Sequence, residues 1–314
     1  MRSKRITLPG TAFYHCECGV RGQNMLLKDN EKRQLWELVR RVSEFSGVEV
    51  KTYCLMDNHI HLIIKIPKWR EVGDDELVTR MRALYGELKT EERLAQWEAS
   101  EAQDDAAQVE AEKNALKKRM YNLSDFFKTL KERFTKDFNR RAGCHGTLWS
   151  ERFKSVLLAP ESKLLTHVGK FADTNPVRSG VVAKAEDYKF SGFGAASRGD
   201  KSALDGIREL VDPNNKKHIS VEKAFEEYKR LIDGMKRHAG GTSATPNAAK
   251  STSSPSFPNF IAGVAIGSLK FIGELLLTFL EESDNIRRNY GMGPWKKPDD
   301  EYYRARRVNK HHSR

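Results

Sequence analysis

The chain has 314 residues, of which 39% are hydrophobic, and its 55 Lys and Arg residues outnumber its 43 Asp and Glu residues to give a net charge of +12. This apolar content excludes a wholly disordered chain, and four scattered cysteines are too few for a disulfide framework. The basic balance favours a polyanionic partner, with nucleic acid as the first candidate.

The N-terminal region predicts the order β-α-β-β. An alternating first strand places His15 and Glu17 on one face, and the helix that follows ends at Gly47. The runs 48–55 and 59–66 predict two further strands, joined by a turn-prone Asp-Asn pair into a hairpin.

A charged stretch at about 68–120 interrupts this pattern and predicts an exposed helical insertion. An amphipathic helix follows from Ser124, then a strand-like run at 149–158, and then a helix after Pro160 that ends by Asn175. The sum predicts an α+β fold with a ferredoxin-like antiparallel sheet, β-α-β-β-α-β, with helices on one face and an extra helix.

Four units are predicted along the chain. Residues 1–198 form the main domain with its insertion, 199–238 a helical extension, 239–258 a flexible linker, and 259–314 a C-terminal helix with a basic tail. Aromatic residues interleave with the basic ones in that tail, which suits single-stranded nucleic acid, although a solvated basic tail is the alternative.

Two segments of the sequence bear on where the protein is located in the cell. The N-terminus lacks the apolar segment of a signal peptide, and the apolar run 260–280 is interrupted by Lys270 and Glu274, which favours a soluble helix over a membrane span. We therefore expect a cytoplasmic protein without a membrane partner.

The amphipathic helix after Ser124 carries the densest set of basic residues. Cations spaced along one helix suit contacts to a nucleic-acid backbone. The predicted contacts are Lys128, Lys131, Arg133, Lys136, Arg140 and Arg141.

His59 and His61 are the first candidates for chemistry. Residues two apart on a strand share a face, with their side chains about 6.5 to 7 Å apart. One divalent ion can bridge two such imidazoles, and Mg²⁺ or Mn²⁺ would polarise a phosphodiester there. The alternative is a purely structural pair on a half-exposed strand.

Four segments carry a resemblance to a known family. They are Thr-Ala-Phe-Tyr-His at 11–15, Cys-Leu-Met-Asp-Asn-His-Ile-His-Leu at 54–62, Gly-Thr-Leu-Trp-Ser-Glu-Arg-Phe-Lys-Ser at 146–155, and Asn-Pro-Val-Arg-Ser-Gly at 175–180. In order and approximate spacing, the chain resembles the REP-associated tyrosine transposases, relatives of the single-tyrosine HUH transposases of small insertion sequences.

The resemblance implies roles for matching positions. His59 and His61 would be the metal ligands, and Asn175 would complete the coordination. The nucleophilic tyrosine should lie four residues before that asparagine, where this chain has Phe171. Arg152 and Lys154 would lie beside the active site and contact a phosphate, with a salt-bridged or solvated role as the alternative. Arg178 is a further predicted DNA contact.

Phe171 leaves three explanations open. It is an engineered inactivating substitution, the mark of a naturally decayed enzyme, or a position that does not correspond to the nucleophile. Tyr14, Tyr53 and Tyr188 are candidate substitute nucleophiles, and Phe171 also fits a plain core position at helical spacing.

The resemblance implies an endonuclease and strand transferase acting on single-stranded DNA at REP-type hairpins, as a monomer or homodimer in the bacterial nucleoid. The metal would be Mg²⁺ or Mn²⁺, and this chain would be inactive for lack of the tyrosine. Two alternatives remain: a non-catalytic hairpin-binding protein derived from a transposase, and an RNA-binding ferredoxin-like module without a metal.

Overall fold

The computed structural model describes residues 7–234, 265–268, 270–272, 274–275, 290–294 and 303–307. The strands are β1 (Ala12–Gly19), β2 (Glu49–Leu55), β3 (His59–Ile66), β4 (Lys154–Leu158), β5 (Ala265–Gly267), β6 (Tyr290–Pro294) and β7 (Tyr303–Arg307). The helices are α1 (Asp29–Ser46), α2 (Asp74–Tyr85), α3 (Glu87–Glu101), α4 (Ala106–Lys117), α5 (Leu123–Ala142), α6 (Ser162–Asp173), α7 (Asn175–Arg178), α8 (Gly192–Ser197), α9 (Lys201–Val211) and α10 (Val221–Asp233).

The described strands form one sheet in the order β2-β3-β1-β4-β5-β7-β6. β1 pairs antiparallel with both β3 and β4, and β2 pairs antiparallel with β3. The order 2-3-1-4 of the first four strands, combined with α1 and α5 between them, is the ferredoxin-like arrangement, so the predicted α+β fold class is confirmed.

Both faces of this sheet are apolar, because successive side chains of a strand point to opposite sides. Tyr14 and Leu62 pack into one core with α1 and α5, whereas Phe13 and Ile63 pack into a second core with α6, α9 and α10. The prediction placed the sheet's helices on one face. The structure places helices on both faces, since the second apolar face needs its own cover.

The charged insertion contains α2, α3 and α4. It is not exposed throughout, because Leu77, Met81, Leu84 and Trp97 extend the core formed with α1 and α5. The following helix α5 is capped by Asn122, whose side-chain oxygen accepts from the backbone N–H groups of Ser124 and Asp125.

The run predicted as a strand over 149–158 divides into two parts. Trp149 forms an isolated antiparallel bridge with Val20, and regular pairing resumes only in β4. Between them, the ring of Phe153 turns toward α5 and stacks on Phe127 with 3.8 Å between ring centroids. Residues 150–153 therefore leave the sheet at the end of β1.

The helical extension contains α9 and α10, and it packs on the main domain. Ile207, Leu210 and Tyr228 lie in the same core as α6. A Cβ atom at Gly206 would lie 2.1 Å from the carbonyl oxygen of Lys51, so this glycine lets α9 approach the backbone of the edge strand β2. The approach covers part of an otherwise exposed sheet edge.

The C-terminal region differs from its prediction. We expected a helix followed by a basic tail, but besides a helical segment at 270–272 and 274–275 the structure adds strands β5, β7 and β6 to the sheet. β5 pairs in parallel with β4, which would otherwise be an open edge. The predicted linker 239–258 lies outside the described residues.

Candidate metal and DNA site

His59 and His61 project from β3 toward α6, on the face that carries Ile63. The Nε2 atom of His59 lies 3.2 Å from the side-chain nitrogen of Asn175, and the Nε2 atom of His61 lies 3.0 Å from the same nitrogen. Three side chains from two separate segments thus converge on one point.

Asn175 is the first residue of α7, which begins where α6 ends. The hydroxyl of Ser179 lies 3.1 Å from its side-chain oxygen and can either donate or accept. A half-turn of the amide therefore directs the oxygen toward both imidazoles and keeps the bond to Ser179. Two imidazole nitrogens and one amide oxygen are donors that suit Mn²⁺ or Mg²⁺.

Both histidines are held in the neutral form that binds metals. Burial, followed by the charge of Arg178, lowers the pKa of His59 to about 4. Burial also lowers the pKa of His61 well below its usual value, with His15 and His59 contributing. Only 1% of His61 is exposed.

The described residues contain no cluster of three or more His, Cys, Asp or Glu side chains arranged to hold a metal. A metal between His59 and His61 would thus depend on Asn175, with water or phosphate oxygens supplying the remaining positions. A nearby acid is Glu17, directly opposite His61 in the β1–β3 pairing. Its Oε2 atom is buried and has no hydrogen-bond partner in the described part of the chain.

A cavity of about 420 Å³ opens over this site. His59, His61, Asn175 and Phe171 line it together with Glu17, Ser150, Glu151, Arg152 and Lys154. Burial raises the pKa of the Glu17 carboxyl, and Lys154 opposes that shift. The excursion at 150–153 thus brings Arg152 to the same opening as the histidines.

Phe171 lies on α6 against the histidines. Its ring centroid is 5.8 Å from that of His61 and 6.0 Å from that of His15. The guanidinium carbon of Arg178 lies 4.3 Å above the Phe171 ring, and Nη1 of Arg178 donates to the Phe171 carbonyl at 2.8 Å. Burial lowers the pKa of Arg178 to about 10, well above neutrality, so the group stays charged.

None of the three candidate substitute tyrosines reaches the cavity. Tyr14, Tyr53 and Tyr188 all belong to the core on the opposite face of the sheet, with α1. Tyr188 uses its hydroxyl to donate to the carbonyl of Leu55 and to accept from Lys32. The suggestion that one of them replaces the nucleophile is wrong for this structure, because the sheet separates them from His59 and His61.

The hairpin that carries His59 is anchored from α1. Lys32, only 3% exposed, donates to Asp57 at 2.6 Å, and Lys28 donates to the other oxygen of the same carboxylate at 2.9 Å. Asp57 begins the turn between β2 and β3, so its two lysine partners hold the start of β3 in place.

The predicted basic residues of α5 are dispersed. Lys131 donates to the carbonyl of Glu151 at 2.5 Å and thereby supports the 150–153 excursion. Arg133 packs over Tyr85 of the insertion, 4.9 Å from the ring centroid. Arg140 and Arg141 bind Asp137, and Lys128 and Lys136 are exposed. Of the predicted DNA-contacting residues, Arg152 and Lys154 line the cavity.

The sequence interpretation assigned no role to His15 or Glu17. Both were predicted to share a strand face, and the structure shows that this face is the one bearing His59 and His61. Strand alternation predicted that His15 and Glu17 share a face, but not which side of the sheet that face occupies. The pairing of β1 with β3 is the information that would have placed both residues beside His61.

Comparisons with known proteins relate part of this chain to transposases. The family model described as IS200-like transposase matches residues 11–85, a segment that includes His15, His59 and His61. The resemblance was predicted to the REP-associated tyrosine transposases, relatives of the single-tyrosine transposases of small insertion sequences, and this family model supports it over that segment. No protein with a curated description matches the chain.

Two solved structures are similar in part. One is a REP-associated tyrosine transposase bound to a REP hairpin, at 17% identity and a TM-score of 0.40 over 63% of this chain and 87% of that one. The other is a putative transposase from Deinococcus radiodurans R1, at 12% identity and a TM-score of 0.26 over 58% of this chain and 92% of that one.

Among the described helices, none is long and apolar enough to cross a membrane.

Proposed function

We propose that this chain, which resembles the IS200-like transposases over residues 11–85, binds hairpin-containing single-stranded DNA in the cavity above His59 and His61. These two histidines and Asn175 would hold a Mg²⁺ or Mn²⁺ ion, which would polarise a phosphate of the DNA backbone. Arg152 and Lys154 lie at the opening of the cavity.

One observation carries the proposal: the Nε2 atoms of His59 and His61 and the amide of Asn175 meet at one point inside a cavity that Arg152 and Lys154 also line. If the two histidines were purely structural, their Nε2 atoms would not need to point at the same amide group. Nor would the cavity need to be lined by Arg152 and Lys154. The orphaned carboxylate oxygen of Glu17 at the same place further favours a cation there.

The ion, when bound, supplies a Lewis acid that polarises a phosphoryl oxygen. The residues of the chain do the rest. His59, His61 and Asn175 fix the position of the phosphate, while Arg152 and Lys154 neutralise backbone charge. Arg178 remains charged beside Phe171 and adds to the positive potential at that wall.

Strand cleavage through a phosphotyrosine needs an oxygen at residue 171, and phenylalanine has none. The proposed activity of the chain as it stands is therefore hairpin binding without covalent strand cleavage. The endonuclease and strand-transfer chemistry of the resemblance requires a tyrosine at this position. The same proposal includes a cytoplasmic location in association with the nucleoid. It also includes a monomeric or homodimeric state.

The test is the affinity of a labelled single-stranded DNA hairpin, measured by fluorescence anisotropy with Mn²⁺ and with EDTA. We expect at least about tenfold tighter binding with Mn²⁺, because a divalent cation at the phosphate strengthens the contact. His61→Ala should bind with Mn²⁺ as the unchanged protein does with EDTA. His167→Ala, which removes an α6 histidine outside the cavity lining, is the matched control and should bind as the unchanged protein.

Equal affinity with Mn²⁺ and EDTA would contradict the role of the ion. Equal affinity for an RNA stem of the same sequence would instead support the RNA-binding module.

The cavity cations give a second prediction. Arg152→Ala should weaken hairpin binding about tenfold and lower the salt dependence of the affinity by about one phosphate contact. Arg140→Ala removes a basic residue that is already paired with Asp137 and lies outside the cavity lining, so its effect should be within about twofold. Titrations at three salt concentrations measure both the affinity and its salt dependence. Equal losses of affinity in Arg152→Ala and Arg140→Ala would contradict the assignment of the cavity as the DNA site.

A further inference from the structure

His15 is a buried histidine to which the proposed function assigns no part. It lies on β1, is 2% exposed, and faces the same side of the sheet as His61. Its Nε2 atom lies 3.0 Å from Nδ1 of His61, and the two rings stack with 5.1 Å between centroids and 26° between planes. A contact this close between two imidazole nitrogens requires one to donate and the other to accept.

The position of Asn175 decides which one donates. Its amide group lies within hydrogen-bond distance of Nε2 of both His59 and His61. With the amide nitrogen facing the two rings, as the structure has it, or with a cation in its place, each Nε2 must offer a lone pair. A neutral imidazole with a lone pair on Nε2 carries its proton on Nδ1. Nδ1 of His61 therefore donates, and Nε2 of His15 accepts.

His59 has a separate acceptor of the same kind. Its Nδ1 lies 2.6 Å from the side-chain oxygen of Asn58, an atom that can only accept. Each of the two facing histidines thus has its own partner behind it, and the two partners impose the same tautomer. Metal-binding histidines commonly have such an acceptor on the second ring nitrogen.

We propose that His15 is a positioning residue that fixes His61 in the Nδ1–H tautomer and thereby directs the His61 lone pair to the cavity. The proposal rests on the metal role assigned to His61 in the proposed function. Because His61 is only 1% exposed, water cannot readily replace this acceptor. Without His15, the buried Nδ1–H group would be unpaired, and the tautomer with the proton on Nε2 would block the site.

The first measurement needs no metal. Long-range nitrogen–proton NMR correlations of the metal-free protein, labelled with ¹⁵N-histidine, report which ring nitrogen of His61 is protonated. We expect Nδ1–H at His61 in the unchanged protein and in His15→Gln, since the glutamine side-chain oxygen reaches about the position of the His15 Nε2 acceptor. In His15→Leu, a substantial Nε2–H population should appear.

The second measurement is Mn²⁺ affinity, followed by the paramagnetic signal of the free ion. His15→Leu should bind Mn²⁺ about 10- to 100-fold more weakly, and His15→Gln should recover most of that loss. A loss in both variants with unaltered His61 tautomers would assign His15 a merely structural role and overturn the proposal. A proton on Nε2 of His61 in the unchanged, metal-free protein would also overturn it.

The two measurements separate this proposal from the proposed function. The Nδ1–H tautomer in the unchanged protein and its loss in His15→Leu would support the positioning role even if DNA binding proved independent of the ion. DNA binding that requires Mn²⁺, combined with an unaltered Mn²⁺ affinity in His15→Leu, would support the proposed function and overturn the role of His15.

Discussion

Phe171→Tyr is expected to convert this chain from a protein that forms no covalent DNA adduct into one that does. The added hydroxyl would extend from a ring whose centroid is 5.8 Å from that of His61, on the wall of the cavity that holds the proposed phosphate site. The tyrosine oxygen would attack phosphorus, the bond from phosphorus to the 3′ oxygen would break, and that oxygen would take a proton. The products are a 5′-phosphotyrosine and a free 3′-hydroxyl end.

The adduct is measured on a denaturing gel after incubation with Mn²⁺ and labelled hairpin DNA, and should exceed the background of the unchanged chain at least about tenfold. Phe138→Tyr, which adds a hydroxyl on α5 outside the cavity lining, should stay at background, and so should Phe171→Tyr combined with His61→Ala. An adduct formed by the unchanged chain would show that residue 171 is not the relevant position.

Asp173→Ala is expected to be the most destabilising single change in α6. Asp173 is fully buried and accepts hydrogen bonds from the hydroxyls of Thr52 and Tyr228 and from the backbone N–H of Phe193. Burial raises the pKa of its carboxyl to about 6, opposed by these hydrogen bonds. Alanine would leave three buried donors unpaired, which should lower the free energy of unfolding by about 3–5 kcal/mol.

Urea unfolding measures this loss. Tyr228→Phe removes one of the three donors and should cost about 1 kcal/mol. Asp205→Ala is the matched control, since Asp205 lies on the exposed surface of α9 with a loose ion pair to Arg208, and should change stability by less than about 0.5 kcal/mol. If Asp173→Ala unfolded at the same urea concentration as Asp205→Ala, the three hydrogen bonds would not hold α6 in place.

The Asp173 contacts also show why α9 and α10 belong with the site. Tyr228 of α10 reaches the end of α6, two residues before Asn175. A Cβ atom at Gly169 would lie 2.7 Å from the Tyr228 hydroxyl and 2.8 Å from Leu210, so a glycine in α6 is what allows these helices to approach. Helical periodicity predicted α10 as a helix, but it could not show which helix it supports.

Much of the fold could be predicted from local pattern. Period-2 alternation gave β1, and the Asp57-Asn58 turn gave the β2–β3 hairpin, because both signals lie within a few residues. The same alternation correctly placed His59 and His61 on one face. The C-terminal strands were missed, since β5, β6 and β7 are only three to five residues long and β5, which joins them to the sheet, pairs with strands distant in sequence.

The site was predictable only in part. His59 and His61 were found from their spacing on a strand, and Phe171 and Asn175 through a resemblance. All four lie together in the structure. His15 was not assigned a role, because its function depends on the strand register that brings it beside His61. Long-range pairing of this kind leaves no periodic signal in the sequence.

The most direct test of the account is pulsed electron paramagnetic resonance of Mn²⁺ bound to the protein, before and after addition of a single-stranded DNA hairpin. Two histidine nitrogens should couple to the ion in the unchanged protein, and one in His59→Ala. Adding the hairpin should introduce a coupling to phosphorus, because the proposed function places a DNA phosphate beside the ion. A spectrum of fully hydrated Mn²⁺ without nitrogen coupling, unchanged by the hairpin, would contradict a metal-dependent DNA site at His59 and His61.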